Sequence, residues 1–414
     1  DLWVKNIQRM AAPSTAIISP RRIGKTVLLD RLVNTVFFKP EYKVAPFYFK
    51  MKREETTLRN FLLEYATTFF RQYIAYCLQD TQLFRNNIVA LEDLLDIESS
   101  HKAVVLAKEF IRGFIKRYNN KGSEDARNHW DAFIKQPEDL ASFSGTRVAV
   151  IIDEFQDMKF YIYPVETIPD DKSKLPMATD LTATYDRQSQ SRKAPMLVSG
   201  SAVTLVFRTV MGGPLGGRFG FKYLKPLSIP DGAKLLKNLL KIYTQDQDIS
   251  IENAIYASTQ VTGHPYYLYC LAVSEYDKNF NSKDTIDELI KYEVERGKIY
   301  GFWQTHFEKN KELINNDNEE EIGKKILYYI IKYNNRPVEI NEIAEKLNIS
   351  KKDVEKKIEK LYSADLLYKS QFKYFTFNDI CLMRFIKYRY EKELEDVNKI
   401  NVDQNKIFYV LKGR

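Results

Sequence analysis

A glycine, a lysine and a threonine stand together at Gly24-Lys25-Thr26, and an aspartate and a glutamate close an apolar run at Asp153-Glu154. Each group suits phosphate chemistry. A lysine ammonium and a threonine hydroxyl at the start of a helix can hold a polyphosphate and a divalent cation. A carboxylate pair at a strand end can hold that cation and take a proton from water. The first group ends the run Ser19-Pro20-Arg21-Arg22-Ile23-Gly24-Lys25-Thr26. This is the GxxxxGK[ST] phosphate loop with serine at the first glycine. Serine is small, and Pro20 restricts it to an extended backbone, so the loop can still form. All eight residues, with Val27, are candidate nucleotide ligands. Thr26 and Asp153 are candidate Mg²⁺ ligands, and Glu154 is the candidate base for the attacking water. The plainer readings are a surface turn and a solvated strand end.

Hydrolysis also calls for a polar sensor and often an arginine. Ser199 and Ser201 end the run PMLVSGS, where a hydroxyl can hold the water or the γ-phosphate; a simple turn is the plainer reading. Arg218, in GGPLGGRFG, is the candidate arginine, toward a phosphate of its own or a neighbouring subunit, with Arg208 the weaker alternative.

These residues need a frame. TAIIS (15–19) is a strand running into the loop, and helical spacing follows at 27–38. VAPFYFKM (44–51), RVAVIIDEF (147–155), PMLVSGS (195–201) and FKYLKPL (221–227) supply four more strands. Strands alternating with helices predict an α/β fold, a parallel sheet with helices on both faces. A helical insertion covers 56–140, and a Pro-rich segment separates the acidic strand from the next. After Pro230 the pattern is helical to about 307. Residues 322–390 then read helix, helix, helix and a two-stranded wing near Ser370-Gln371, the order of a winged helix-turn-helix. The expected domains are an ATPase core at 1–228, a helical lid at 229–310, a winged helix at 322–392 and a tail at 393–414.

Composition is ordinary for a protein with a real core: 44% hydrophobic and 29% charged, with a net charge of +8. The basic excess permits nucleic acid without demanding it. Cys77, Cys270 and Cys381 are isolated, which fits a reducing compartment and excludes the usual metal spacings. No apolar run nears the ~20 residues of a membrane helix. A cytoplasmic protein without a membrane partner is expected.

The motifs taken together resemble a family. SPRRIGKTVLL, IIDEFQ, LVSGSAV, PLGGRFGFKYLKPLS and TGHPYYLYCLA occur in the order found in archaeal-type ATPases, a branch of the AAA+ and STAND nucleotide switches. The resemblance covers about residues 13–275, and FTFNDICLMRFIKYRY resembles the winged helix that follows in many members. It implies a five-stranded sheet of order 5-1-4-3-2, a helical lid, and ATP or ADP with Mg²⁺ as ligands. It gives Lys25 and Thr26 to phosphate and Mg²⁺, Asp153 and Glu154 to Mg²⁺ and water, and Arg218 to a finger-like role. It makes Gly263-His264-Pro265 a lid motif whose proline packs near adenine; without the family, His264 reads as an ordinary loop histidine. The chain departs from the pattern in its long helical block, its Pro-rich insertion and the short stretch before the loop.

Three functions are open at this level. The first is an ATP-binding switch or assembly ATPase that couples nucleotide state to a protein or DNA partner, a homo-oligomer included. The second is a DNA-binding AAA+ protein of replication, transposition or repair. Residues 350–374 carry seven lysines against four acids and no arginine, which suits duplex phosphates better than bases. The third is a nucleotide-stabilised scaffold without turnover.

Overall fold

The structure is a computed structural model. It describes residues 2–8, 12–86, 88–119, 123–200, 209–210, 215–244, 249–276, 279–309, 320–332, 337–364, 366–371, 374–376 and 379–398. The chain divides into two compact units, Asp1–Leu224 and Lys225–Arg414.

The first unit opens with helix α1 (Leu2–Gln8), strand β1 (Thr15–Ile18), helix α2 (Lys25–Phe37) and strand β2 (Val44–Lys50). A block of helices follows the two-residue strand β3 (Thr56–Thr57): α3 (Leu58–Leu78), α4 (Thr81–Arg85), α5 (Lys102–Tyr118), α6 (Ser123–Phe133) and α7 (Gln136–Ser144). Then come β4 (Arg147–Asp153), β5 (Ile162–Tyr163), α8 (Asp186–Ser189), β6 (Met196–Gly200) and β7 (Gly220–Tyr223). Five strands form one parallel sheet in the order β2-β4-β6-β1-β7. β4 is buried along nearly its whole length, which is why its sequence is a continuous apolar run rather than an alternating one. The last strand stops at Tyr223, shorter than its apolar pattern, although the Leu224 N–H still reaches the Ile18 carbonyl (2.9 Å). Ser201 and Arg208 lie outside the described residues.

The inserted helices pack on one face of the sheet. Thr57 caps α3 by accepting from the Asn60 N–H (3.1 Å). Phe61, Tyr65, Phe69, Trp130 and Phe133 then build an aromatic core against Phe47 and Phe49 of β2. The same helix covers the outer edge of β2. The Val44 N–H donates to the Tyr76 hydroxyl (3.1 Å), Pro46 has no N–H, and the Gln72 amide brackets Tyr48, accepting from its N–H (2.7 Å) and donating to its carbonyl (3.0 Å).

The second unit holds α9 (Ile229–Tyr243), α10 (Ile251–Gln260), α11 (Pro265–Ala272), α12 (Lys283–Glu295) and α13 (Lys298–Lys309). It continues with α14 (Glu320–Lys332), β8 (Val338–Glu339), α15 (Ile340–Leu347), α16 (Lys351–Ser363), β9 (Tyr368–Gln371), β10 (Tyr374–Thr376) and α17 (Ile380–Asn398). The three short strands make an antiparallel sheet in the order β8-β10-β9. The sequence separates a lid from a C-terminal unit here, but both pack on one hydrophobic core running from Ala233 to Tyr390. Polar contacts tie the two segments as well: Tyr267 donates to Asp379 (2.6 Å) and Arg384 to Gln260 (2.7 Å). Among the described residues no helix is long and apolar enough to cross a membrane.

Candidate nucleotide site

Parallel strands deliver their C-terminal ends to one edge of the sheet. Ile18 of β1 lies opposite Gly200 of β6, and Ile152 of β4 lies opposite Val198. This register sets Asp153 beside Ser199, with Ser19 one residue past the Ile18–Gly200 pair at the same edge. α2 starts immediately beyond, with Gly24 at its N-cap and Lys25 and Thr26 in its first turn, so the positive end of the helix faces the same place. Arg22 (φ 59°) and Gly24 (φ 96°) are both left-handed. Such reversals of backbone hand turn successive N–H groups into an anion-binding concavity. A Cβ on Gly24 would touch nothing, so its glycine is demanded by backbone angle and not by space.

Ser19 has a use of its own. It is fully buried, its hydroxyl donates to the Pro20 carbonyl (3.0 Å), and it accepts from the Lys25 ammonium (3.1 Å). Lys25 also meets the Pro20 carbonyl (3.3 Å). The serine at the first glycine position thus holds the lysine inside the loop. Ile23 is buried beneath, Pro20 and Arg21 are half-buried, Arg22 is exposed, and Val27 is 70% exposed in the first helical turn.

The Asp153 carboxylate is the hub. Thr26 donates to one oxygen (3.0 Å); Ser199 and the Glu154 N–H (3.1 Å) donate to the other. Glu154 is itself left-handed (φ 56°), a conformation costing a non-glycine residue about 1–3 kcal/mol. Its carboxylate accepts from Gln156 (2.7 Å) and meets Arg53 (3.5 Å), and Arg53 also pairs with Asp157 (2.8 Å). Burial pushes the Asp157 carboxyl up, against the pull of Arg53. The linker carrying Arg53 and the segment after Asp157 are stitched together by the parallel pair β3–β5.

The sequence-derived residues from Ser19 to Val27, Asp153, Glu154 and Ser199 therefore share one edge. Arg218 does not join them. It precedes β7, whose first residue, Gly220, lies opposite Thr15 at the start of β1. Arg218 therefore stands at the N-terminal edge of the sheet, about 13 Å of strand away from the loop. There it pairs with Asp186 (3.0 Å). His264 and Pro265 lie in the second unit. His264 is buried, stands at the N-terminal boundary of α11 and stacks on Tyr267 (4.0 Å between centroids), with Pro265 in the first helical turn. Gly263 is left-handed (φ 66°), and a Cβ there would sit 2.2 Å from the Leu227 carbonyl oxygen.

Sequence reasoning missed Arg53, Asp157 and Tyr48. Tyr48 lies beside Ile151 on β4, and its buried hydroxyl has no partner at full hydrogen-bond geometry among the described residues, the Asp153 carboxylate coming nearest to one. Burial, then the nearby Asp153 charge, raises its pKa well above the usual tyrosine range.

Among the described residues no group of three His, Cys, Asp or Glu side chains could hold a metal alone. A single carboxylate with a hydroxyl beside a phosphate cradle is instead the donor set Mg²⁺ takes when phosphate oxygens and water complete its shell.

The whole chain can now be compared with known proteins. No family model matches the sequence, and no curated protein matches it. Among solved structures, a Walker-type ATPase of Pyrococcus abyssi superposes with a TM-score of 0.55 at 15% identity, over 94% of this chain and 95% of that one. The fold is that of a Walker-type ATPase. The Aeropyrum pernix ORC2 protein, solved in ADPNP–ADP complexes, matches with a TM-score of 0.46 at 13% identity, over 95% of this chain and 92% of that one. The Aeropyrum pernix ORC1 protein, solved in complex with DNA, gives 0.34 at 10% identity, over 97% and 94%.

Proposed function

We propose that the chain is an AAA+/STAND-type ATPase that binds ATP with Mg²⁺, hydrolyses it, and couples the nucleotide state to a protein partner. The observation that carries this reading is the cluster in which Thr26 and Ser199 both hold Asp153 beside Lys25 and left-handed Gly24. Lys25 would meet the β and γ phosphates, and Thr26 and Asp153 would hold Mg²⁺. The ion, when bound, neutralises charge on the phosphates. Ser199 fixes the Asp153 carboxylate, leaving its other oxygen for the metal side. Glu154 takes the proton of the attacking water. Gln156 and Arg53 restrain that carboxylate, and its left-handed backbone sets its direction.

Arg218 stands too far along the sheet to serve the loop of its own chain, so its finger role is one toward a neighbouring copy, which makes turnover rise with protein concentration. His264 and Pro265 would supply the lid motif near adenine. Turnover of the full chain across concentration tests the reading, alongside Lys25→Ala and Glu154→Gln. Binding lost with Lys25→Ala, and turnover lost about 100-fold with binding kept in Glu154→Gln, are the expected results. Tight binding with no turnover at any concentration would replace the enzyme with a nucleotide-stabilised scaffold.

A second reading rests on the order α14-β8-α15-α16-β9-β10 with its antiparallel sheet, the order of a winged helix. Lys351, Lys352 and Lys356 are exposed on α16, so duplex DNA is the alternative partner. Asp353, Glu355 and Glu359 are exposed on the same helix, and Lys351 pairs with Glu355 (3.9 Å), which sets such binding as weak and steeply salt-dependent. A DNA titration at two salt concentrations decides it: no salt-sensitive binding ends the DNA reading.

A further inference from the structure

Tyr48 stands at the sheet edge, and the reading above leaves its chemistry unused. It sits on β2 beside Ile151, with its ring packed on the cluster of Ile17, Leu29, Val33, Ile151 and Leu197 beneath α2. Residues of one strand alternate between faces, so Tyr48 shares the α2 face with Asp153, two residues beyond Ile151 on the neighbouring strand. Gln72 fixes the Tyr48 backbone from both sides. Asp153 and Asp30 are the nearest charges bearing on it, with Glu154 behind.

A buried hydroxyl without a partner is costly, and native proteins rarely keep one. Here the hydroxyl meets no partner at full hydrogen-bond geometry, and the side chain that comes nearest to accepting from it is the Asp153 carboxylate, already held by Thr26 and Ser199. We propose that Tyr48 is a positioning residue of the nucleotide site, its hydroxyl donating to an oxygen of the hydrated Mg²⁺–phosphate group between Thr26 and Asp153. This rests on the nucleotide reading above and adds to it a donor from β2, a strand the phosphate loop and acidic strand do not include. The hydroxyl is then unsatisfied in the free protein and satisfied in the loaded one.

Tyr48→Phe removes one oxygen and keeps the ring. The test is the binding of a fluorescent ATP analogue to the full chain across a Mg²⁺ titration and in EDTA, with melting temperatures of the free and loaded protein. In Tyr48→Phe the half-saturating Mg²⁺ concentration rises about two- to twelve-fold, the worth of one neutral hydrogen bond, while affinity in EDTA is unchanged. The melting temperature of the free variant is unchanged or higher, because an orphaned hydroxyl has been replaced by nothing. A merely structural hydroxyl would instead lower the free melting temperature and leave the Mg²⁺ dependence alone, and that pattern overturns the proposal. An equal loss of affinity with and without Mg²⁺ also overturns it. Wild-type chain that binds no analogue at all removes the nucleotide reading itself. Wild-type binding with an unmoved Tyr48→Phe removes only the role of Tyr48.

Discussion

Asp153 in the first compact unit and Asp379 in the second each accept a hydroxyl hydrogen bond and a backbone N–H. In the first, Asp153 takes Thr26, Ser199 and the Glu154 N–H. In the second, Asp379 takes the Tyr267 hydroxyl, which also accepts from the Trp303 indole (3.1 Å), and caps α17 through the Leu382 N–H (2.9 Å). The local chemistry is nearly the same and the surroundings are opposite. Asp153 ends a strand beside a lysine, a helix N-terminus and left-handed glycine. Asp379 sits against the aromatic core of α11 and α13, where burial raises its pKa above the usual carboxylate range. A carboxylate with hydroxyl donors is therefore no sign of a site by itself. What distinguishes Asp153 is the lysine, the left-handed glycine and the helix N-terminus gathered beside it.

The comparison can be broken by treating both residues alike. Asp153→Ala should abolish turnover, by at least about 100-fold, and leave the melting temperature near that of the wild type; steady-state hydrolysis and calorimetry check this. A large fall in stability with turnover intact would make Asp153 the structural residue. Asp379→Ala should do the reverse to its own unit. It strands the Tyr267 hydroxyl and removes a helix cap, at about 2–3 kcal/mol, read from the denaturant midpoint of Trp303 fluorescence. Gly263→Ala belongs with it. The left-handed angle and the Leu227 carbonyl leave a methyl no place, so more than about 1 kcal/mol should be lost in thermal unfolding. Arg53→Ala should cost about 1 kcal/mol, since it leaves the buried Asp157 carboxylate without its cation, discounted because Arg53 is itself half exposed.

The smallest effect is the pH dependence of the second unit. The folded state holds the Asp379 proton more tightly than the unfolded chain does, so this group's contribution is fully present below about pH 4 and is lost as pH rises through the folded pKa. Asp379→Asn should flatten that decline, measured as the difference in denaturant midpoint across mildly acid to neutral pH. A slope equal to that of the wild type would place the titration elsewhere.

The phosphate loop and the acidic strand were legible because their signals are local. Glycine, lysine and threonine sit within one helical turn, and β4 announces itself by continuous burial. The five strands, alternating with helices, also carry enough apolar pattern to predict a parallel α/β sheet. Tyr48 and Arg53 were not legible, because only the pairing of β2 with β4 brings a tyrosine 105 positions before Asp153 in the chain beside Ile151, on the face it shares with Asp153. Nor could spacing show that Arg218 falls at the wrong edge of the sheet. That follows from strand direction, and the PLGGR segment looks the same whichever end of β7 it occupies. His264 was open to two readings, and its local surroundings, stacked on Tyr267 at a helix start, are as much those of a packing residue as of a ligand.

The sealed edge of β2 has a bearing on how copies of this chain could meet. With Tyr76, Pro46 and Gln72 answering for its outward backbone, β2 offers little ladder for another strand to extend. β7, at the far side, keeps its side chains largely in solvent. A two-fold pair joined β2 to β2 is therefore disfavoured, and any contact between copies is directed away from that border.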